Sequence, residues 1–530
     1  MELNRKHIAI ILVVLFLCSV GAVGVTIAQT PAGSSSLKST ATSTPTATGA
    51  FQVAPVNPAW TEHTAKQAAG TVATQTPDGN GLGLIQGPID FSQMNAGKGS
   101  DYAGTYPASY DLRNYGKVSP VGNQANCGSC WTFATYGSLE SYLRPGSTTT
   151  YSEKAMNNRN GFSPACCKGG WWLMSAAYLT RWGTTMTGYN GAKIYTGPIT
   201  SAFDPYTSTY CTDNTAVGSP AKHVQEVVMF PARTSSTDNN AIKYGLQTYG
   251  ALYVGFQWEG SSKVKTTYYN PDTAAYYDGT TTGGNHAVTI VGWNDNYPKT
   301  SFSTQPAKNG AFICKNSWGT SFGKSGFFYV SYYDKNMGRG STLPSYRTSN
   351  VAVAYTAESN TNYKTNYQYD PFGWVSNVGT GGTSTLWAAN TYTAKAGTLK
   401  AVGFYAPVKN TAYTIRIYKN PTSTNPSSGT LVTTKTGIVG YVGYYTSKLT
   451  TSVPLTAGQK FSVVIKFYTP GYNYPTSVTK YLPGYDNNIP DSVVGHSFVS
   501  TTGNSGSWSD LATIFAKYDG YANDIHAYAS

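Results

Sequence analysis

The chain has 530 residues, of which 40% are hydrophobic and only 12% are charged, with 56 glycines and 43 tyrosines. This length is enough for two or three domains, and so few charges exclude coiled coils and long charged helices in favour of β structure joined by glycine turns. The net charge of +13 comes from scattered Lys and Arg residues, so we expect no nucleic-acid partner, while attraction to an anionic cell-wall polymer stays open.

Residues 1–28 form an export signal or a membrane anchor. Arg5 and Lys6 precede an uncharged apolar run over residues 8–28, and the small residues at its end suit cleavage by a signal peptidase. The run is also near the ~20 residues that span a bilayer. Either outcome predicts an extracellular or cell-surface protein that meets a membrane only through this N-terminal segment, in a setting where disulfides form.

Two segments with little apolar patterning follow. Residues 29–50 are rich in Ser, Thr, Pro and Ala, which predicts a flexible stalk. Residues 51–105 contain one apolar cluster, LGLIQGPIDF at 82–91, and no long helical pattern. We interpret 51–105 as a pro-segment or a longer tether. If this segment inhibits the domain that follows it, we expect it to lie in the cleft of that domain as a short extended strand.

The stretch NQANCGSCWTFA at 123–134 contains Cys127 and Cys130. A redox CxxC pair should follow a buried strand, but the preceding VSPVGNQAN is turn-like. A zinc site needs a second ligand pair, and the adjacent Cys166 and Cys167 suit tetrahedral coordination poorly. We therefore expect no metal and no cofactor. A nucleophilic cysteine would instead need a base, an orienting partner and oxyanion donors elsewhere in the chain.

Two downstream stretches can supply those partners. GGNHAVTIVGWND has His286 at the head of an alternating strand pattern. KNSWGTSFGKSGFFYVSY has Asn316 before a tryptophan and a glycine-rich turn that leads into another strand. A single histidine at a strand start is more often structural than catalytic, so the inference depends on the three stretches together.

In that order, the three stretches resemble the signatures of the papain-like cysteine peptidases. PASYDLRNYGKVSPVGNQ resembles the start of the mature enzyme, and YSEKA with CCKGGWW resembles the region between the nucleophile helix and the substrate cleft. The resemblance covers about residues 106–335. It implies an α+β papain-like fold, with a helical subdomain and a β-barrel-like subdomain, in a domain that we bound at 106–345.

The resemblance implies a role for each signature residue. Cys130 would be the nucleophile at a helix N-terminus, where the helix and a nearby imidazolium both lower a thiol pKa. His286 would act first as base and then as acid, and Asn316 would orient its imidazole. Trp318 would shield the hydrogen bond between His286 and Asn316 from water.

Further residues would form the oxyanion site and the substrate groove. Gln124 would donate its amide to the oxyanion, although a solvated loop glutamine is the alternative. Gly169 and Gly170 would let a substrate backbone approach closely. Trp171 and Trp172 fall where the family lines its acyl-side pockets, which would favour a large apolar or aromatic second residue in the substrate; a core role is the alternative.

The resemblance also implies which of the other cysteines in this region form disulfides and which stays free. Cys127 would pair with Cys167. Cys166 would pair with Cys211, although the family usually has that partner several residues earlier. Cys314 would stay unpaired and buried as a small hydrophobic residue.

After the segment TLPSYRTSN, short alternating runs such as AYTIRIYK and KFSVVIKFY predict an antiparallel β-sandwich or barrel over 353–530. NYQYDPFGW, LWAANTYTAKAGTLKAVGFYA and HSFVSTTGNSGSWSDL resemble a lectin-like β domain of exported prokaryotic papain-like peptidases. This second resemblance implies an all-β sandwich and makes a cell-wall or glycan ligand a candidate partner. Core positions are the alternative for Trp374, Trp387 and Trp508.

Together these features predict an exported or cell-surface cysteine endopeptidase that acts on protein or peptide substrates. A non-catalytic adhesin or carbohydrate-binding protein on the same scaffold is one alternative, and it is disfavoured because Cys130, His286 and Gln124 are all present. A thiol acyltransferase is another alternative. The sequence does not separate it from a peptidase, because the cleft selects water or an amine as acceptor.

Overall fold

A computed structural model describes residues 51–94, 96–182, 186–187, 193–194, 197–202, 204–207, 210–211, 219–340, 350–486, 493–515 and 520–530. The predicted export signal or anchor and the predicted stalk lie outside the described residues, as does most of TLPSYRTSN. Within these ranges, no helix is both long and apolar enough to cross a bilayer.

Helices in the described residues lie mainly in the first half of the chain. They are α1 (Pro58–Ala68), α2 (Cys130–Leu143), α3 (Glu153–Asn158), α4 (Trp172–Thr180), α5 (Asn240–Tyr249) and α6 (Leu511–Ile514). Helix α1 starts where the side chain of Asn57 accepts a hydrogen bond from Ala59 N, with Pro58 in the first turn. Both are common signals of a helix start.

The strands before residue 340 build the mixed α/β part of the molecule. They are β1 (Gln52–Val53), β2 (Ser109–Asp111), β3 (Met186–Thr187), β4 (Lys193–Ile194), β5 (Lys222–Met229), β6 (Leu252–Phe256), β7 (Tyr269–Asn270), β8 (Ala275–Tyr276), β9 (His286–Asn294), β10 (Ala311–Lys315) and β11 (Phe327–Ser331).

The strands after residue 350 build an all-β part. They are β12 (Ala352–Ser359), β13 (Thr365–Tyr367), β14 (Ser376–Gly379), β15 (Thr385–Thr393), β16 (Gly397–Ala406), β17 (Thr411–Lys419), β18 (Thr430–Val439), β19 (Val442–Leu455), β20 (Lys460–Tyr468), β21 (Thr476–Thr479), β22 (Ser497–Ser500), β23 (Ser509–Asp510), β24 (Ala522–Asn523) and β25 (Ile525–Ala529).

Helix α2 is buried from Cys130 to Ser141. Small and aromatic residues on every side of the helix suit a position inside a core. The helix packs on β9, where a Cβ atom at Gly137 would lie only 2.4 Å from Thr289 Oγ1. This glycine therefore permits the close contact between the helix that begins with Cys130 and the strand that begins with His286.

Antiparallel pairing brings His286 and Asn316 to the same edge of a sheet. Strand β9 pairs with β6 on one side and with β10 on the other. His286 is the first residue of β9, and Asn316 directly follows the last residue of β10. Because the two strands run in opposite directions, the start of one meets the end of the other.

The all-β part is a sandwich. One layer has the order β18-β17-β20-β15-β22-β23, and the other includes β13-β25-β16-β19. Ile415 and Val463 from the first layer pack with Val402 and Phe404 from the second in one apolar core. The runs AYTIRIYK and KFSVVIKFY, predicted as strands, lie in β17 and β20.

The sandwich and the mixed α/β part share one 13-stranded sheet. Strand β5 pairs with β12 on one side and with β19 on the other, the latter from Val442 opposite Met229 to Tyr445 opposite Glu226. Gly443 has a φ of +145°, and a Cβ atom there would lie 1.8 Å from Val227 O. Only glycine fits this contact between the two parts.

Replacing Gly443 by alanine should weaken this contact. The added methyl group would overlap Val227 O, so we expect a loss of roughly 1–3 kcal/mol in the free energy of unfolding. Gly440→Ala is the matched control, because nothing lies within 4 Å of a Cβ atom at Gly440. The measurement is the thermal unfolding midpoint of both variants, and equal midpoints would contradict this account of the junction.

Candidate active site

Cys130 is the first residue of α2 and is fully buried. Its sulfur accepts a hydrogen bond from Ala287 N at 3.4 Å, so the thiol lies beside the start of β9. The helix N-terminus and this N–H group both direct partial positive charge at the sulfur, which is an arrangement that can stabilise a thiolate.

His286 is held by Asn316 and covered by Trp318. His286 Nε2 lies 2.8 Å from Asn316 Oδ1, which also accepts a hydrogen bond from Ser317 N at 2.9 Å. Since Oδ1 can only accept, Nε2 carries the hydrogen and Nδ1 is left as the basic nitrogen, and Nδ1 has no hydrogen-bond partner among the described residues. The indole of Trp318 stacks on the imidazole at 4.6 Å, which keeps water from the Nε2–Oδ1 bond.

Gln124 is fully buried, unlike a solvated loop glutamine. Its Oε1 accepts a hydrogen bond from Ser317 Oγ at 2.5 Å, which fixes the amide so that Nε2 donates. Nε2 donates to Gly81 O at 3.0 Å and to Cys127 O at 2.7 Å, and Trp318 Nε1 also donates to Gly81 O at 3.3 Å. A carbonyl oxygen from the N-terminal segment thus occupies the position where Gln124 can donate to an oxyanion.

Residues 81–87 fill the groove above Cys130. Gly170 N donates to Gly83 O at 2.9 Å, Ile85 N donates to Gly170 O at 3.2 Å, and Leu84 N donates to Asn285 O at 3.0 Å. The bridge between Leu84 and Gly170 is parallel. The segment therefore lies in the groove as an extended strand.

Glycines on both sides make this contact close. A Cβ atom at Gly81 would lie 2.0 Å from Cys127 O, and one at Gly83 would lie 2.0 Å from Gly128 O. On the facing wall, a Cβ atom at Gly169, where φ is +98°, would lie 2.6 Å from Ile85 and 2.8 Å from Gly83 O. A Cβ atom at Gly170 would instead lie 2.4 Å from the indole of Trp131 in α2. The alternation of glycine and leucine in GLGL is the sequence signal for this fit, and it is visible only once the groove is known.

Trp171 and Trp172 are both fully buried. Trp171 Nε1 donates to Tyr485 OH in the sandwich at 2.9 Å, and a Cβ atom at Gly87 would lie 2.0 Å from its ring. Trp172 stacks on Phe91 at 5.8 Å. Both tryptophans are therefore core residues, the alternative given for them, and Trp171 also contacts the end of the segment in the groove at Gly87. A role in lining substrate pockets stays a prediction.

Burial leaves the thiol and the imidazole neutral in this form. It raises the pKa of Cys130 from 9.0 to about 12, although backbone hydrogen bonds from Ala287 and Gly83 act in the opposite direction. It lowers the pKa of His286 to about 4, against the raising effect of Asn316. The lowered thiol pKa expected for an active enzyme is therefore not a property of the filled groove, because the segment over Cys130 excludes water.

Two disulfides brace the loops beside the groove. Cys127 is bonded to Cys167 and Cys166 to Cys211, while Cys314 is free and buried. The sulfur atoms of Cys127, Cys166 and Cys167 lie within 4.8 Å of one another. Each of these sulfurs is bonded in a disulfide, so none offers a thiolate to a metal.

A cavity of about 500 Å³ behind the site was not expected from the sequence. Its lining includes Asn316, Glu140, Glu153 and Lys315. Burial, together with the neighbouring Glu140, raises the pKa of Glu153 to about 8. A polar cavity of this size can hold ordered water next to Asn316. The only sequence signals for this cavity are two charged residues within the quoted stretches, Lys315 in KNSWG and Glu153 in YSEKA.

Comparisons with known proteins agree with these features. Residues 106–348 match the family model for the papain family cysteine protease, and residues 366–529 match that for a lectin like domain. The probable cysteine protease RD19B of Arabidopsis thaliana is 30% identical over 42% of this chain and 58% of its own length. Cysteine proteinase 1 of Zea mays is 28% identical over 42% of this chain and 56% of its own. The chain thus spans little more than half the length of these curated relatives.

The fold resembles two solved structures of Cwp84 from Clostridium difficile. The protease and lectin-like domains of that surface layer associated protein align with a TM-score of 0.70 and 21% identity over 91% of this chain and 98% of that one. A second structure of Cwp84, after propeptide cleavage, aligns with a TM-score of 0.64 and 23% identity over 80% and 99%. The predicted papain-like fold with an all-β domain behind it is confirmed. The chain therefore contains a papain-family cysteine protease domain followed by a lectin-like domain.

Proposed function

We propose that the chain is the precursor of an exported cysteine endopeptidase in which Cys130, His286, Asn316 and Gln124 carry out catalysis. The observation that supports this most directly is the buried pair of His286 and Asn316 beside the Cys130 thiol, with the amide of Gln124 bound to a carbonyl oxygen in the groove. This arrangement supplies a nucleophile, an oriented base and an oxyanion donor within one groove.

The chemistry follows from these positions. His286 Nδ1 takes the proton of Cys130, and the sulfur attacks the carbonyl carbon of the scissile peptide bond. The negative charge that develops on the carbonyl oxygen receives hydrogen bonds from Gln124 Nε2 and from the backbone N–H of Cys130. His286 then gives its proton to the departing amine, which leaves an acyl group on Cys130. Water, deprotonated by His286, hydrolyses that thioester and restores the thiol.

In this proposal, residues 51–105 keep the precursor inactive. Gly81 O takes the hydrogen bonds of Gln124 and Trp318, and Gly83 lies against the sulfur of Cys130. The segment is also anchored on the sandwich, where β1 pairs with β14 and the ring of Trp60 meets Tyr485 edge-on at 5.4 Å. Activation then requires the release of both contacts. The boundary between this segment and the mature enzyme, at 105, is part of the proposal.

The N-terminal apolar run supports export, and the likeness to a surface layer associated protein supports a place at the cell surface for this chain. We assign the sandwich the role of holding the enzyme to a wall or glycan ligand. The adhesin alternative is disfavoured, because it needs neither the ordered His286–Asn316 pair nor a buried Gln124. Acyl transfer uses the same intermediate, and product analysis with a competing amine separates it from hydrolysis.

Loss of the Gln124 amide should slow the chemical step. In the mature enzyme we expect Gln124→Ala to lower kcat by roughly 10²–10³ with little change in KM, since one oxyanion donor is removed. Cys130→Ala should abolish turnover. Gln247→Ala, an exposed glutamine on α5, is the control. The measurement is steady-state hydrolysis of a peptide library, and full activity of Cys130→Ala would rule out the proposed function.

Adding a methyl group at Gly83 should expose the thiol. In the precursor, we expect Gly83→Ala to speed alkylation of Cys130 by roughly 10- to 100-fold, because overpacking against Gly128 O costs about 1–3 kcal/mol. Gly104→Ala is the control in the same segment, since its Cβ atom would meet only ordinary contacts. Peptide mapping after iodoacetamide treatment measures the rate, with buried Cys314 as reference. Equal rates in both variants would contradict the occluding role of 81–87.

Acid should open the groove. With residues 81–87 in the groove, burial lowers the pKa of His286 to about 4, and we take the ordinary value of 6.5 for a site opened to water. The closed form is therefore fully stable with respect to this group above pH 6.5, and it loses stability as the pH falls towards 4. In the Cys130→Ala chain, amide hydrogen exchange of residues 81–86, corrected for intrinsic rates, should be faster at pH 4.5 than at pH 7.5. A His286→Gln background should remove most of the difference, and an unchanged difference would exclude His286 as its source.

A further inference from the structure

The outer layer of the sandwich carries an unusual charge pattern. Its four long neighbouring strands, β18, β17, β20 and β15, contain two cations in β17, one in β18 and two in β20, five in all, and no Asp or Glu. The face of this layer that points towards β16 and β25 belongs to the main core. Register places Lys435 opposite Ile415 and Lys419 opposite Phe461, both on the core side, so three of the five cations, Arg416, Lys460 and Lys466, lie on the opposite face. That face of the four strands carries no carboxylate.

Register identifies the residues that share this opposite face. Trp387 lies opposite Lys466, which lies opposite Thr414, which in turn lies opposite Thr436. Arg416 lies two residues further along β17, on the same face as Thr414. We name Trp387, Arg416, Lys466, Thr414, Thr436 and Tyr468 the cationic face.

The cationic groups of Arg416 and Lys466 both lie over the indole ring of Trp387. The guanidinium carbon of Arg416 lies 4.9 Å from the ring centre of Trp387, and Lys466 Nζ lies 5.7 Å from it. The loop around Gly503 covers the same tryptophan, since a Cβ atom there would lie 2.5 Å from the ring. Trp387 is only 8% exposed, so it serves as a support that holds the two charged groups rather than as a free surface.

Neither cation has a counter-ion in the part of the chain that the structure describes: no carboxylate there lies within 4 Å of Arg416 or Lys466. Two like charges held against one ring repel each other, and a bound anion would relieve that repulsion. The planar guanidinium offers paired donors that match a carboxylate, and the ammonium adds a second charge.

The rest of the cationic face suits a sugar ring. Tyr468 is 49% exposed at the end of β20, next to Lys466 on the same face. An exposed tyrosine ring can stack on the apolar side of a pyranose. The hydroxyl groups of Thr414 and Thr436 continue the row beyond Lys466 and can hydrogen-bond sugar hydroxyls.

We infer that the cationic face binds an acidic polysaccharide whose carboxylates are carried on pyranose rings, with Arg416 and Lys466 holding a carboxylate and Tyr468 stacking on a ring. The inference rests on the proposed role of the sandwich in holding a glycan, and it assigns both the surface and the charge of the ligand. A phosphate polymer would use the cations but has no ring for Tyr468, so the uronic-acid type fits the whole face.

The test uses the full chain with Cys130→Ala, which prevents self-digestion, and immobilised polygalacturonate as the probe. We expect saturable binding that weakens as salt is raised, because the contacts are ionic. Arg416→Gln with Lys466→Gln should weaken binding roughly tenfold or more, as two charge-assisted hydrogen-bonding groups are lost. Lys364→Gln with Lys395→Gln removes the same charge from exposed positions outside the four strands and should leave binding unchanged.

The outcomes separate this inference from the proposed function. Equal binding by the two double variants, or equal affinity for a linear polyphosphate, would overturn the assignment to the cationic face or to uronic acids. Binding to neutral dextran alone would keep the glycan-holding role and overturn its acidic ligand. Binding to no polysaccharide would overturn both, while peptidase activity, measured separately, would be unaffected. Thermal unfolding of each variant verifies that it is folded.

Discussion

The close contact between the backbone of residues 81–83 and the loop before α2 keeps the groove above Cys130 filled. The contact is possible only because Gly81 and Gly83 leave no side chain between the segment and the carbonyl oxygens of Cys127 and Gly128. It contributes to the burial of Cys130 and His286, and this burial raises the thiol pKa and lowers the imidazole pKa so that both groups are neutral. The same fit therefore limits access to the groove and favours neutral groups within it.

Under the proposed function, the same contact would explain why Cys130 and His286 lie in one site without forming an ion pair. Asn316 already orients His286, Trp318 already covers that bond, and Ser317 already fixes Gln124. With residues 81–87 in the groove, the site lacks hydration and a path for a substrate. In the proposed precursor, these side chains are therefore arranged before activation, and we expect release of the segment to change their hydration and charge rather than their arrangement.

Much of the site could be predicted from the sequence because its signals are local. The resemblance of the stretch around Cys130 to the papain-like signature implies a helix start there, and the alternating stretch after His286 predicts a strand that starts at this residue. Asn316 is expected before a turn that leads into a strand, and it lies between β10 and β11. Other features depend on partners far along the chain. The fit of Gly83 over Gly128, the bond of Ser317 to Gln124 and the pairing of β19 with β5 appear in no short window, because each joins segments that fold together only in three dimensions. The thiol pKa is raised rather than lowered while residues 81–87 fill the groove, and the sequence did not indicate this because burial depends on the whole groove.

The shared 13-stranded sheet has a mechanical consequence. Hydrogen bonds between β19 and β5 join the two domains side by side, in addition to the chain that connects them. A sandwich fixed to a wall would consequently fix the direction in which the groove faces and its distance from that wall. The groove of such an enzyme would reach substrates only at a fixed distance from the surface. A domain on a flexible linker would instead sample a wide volume.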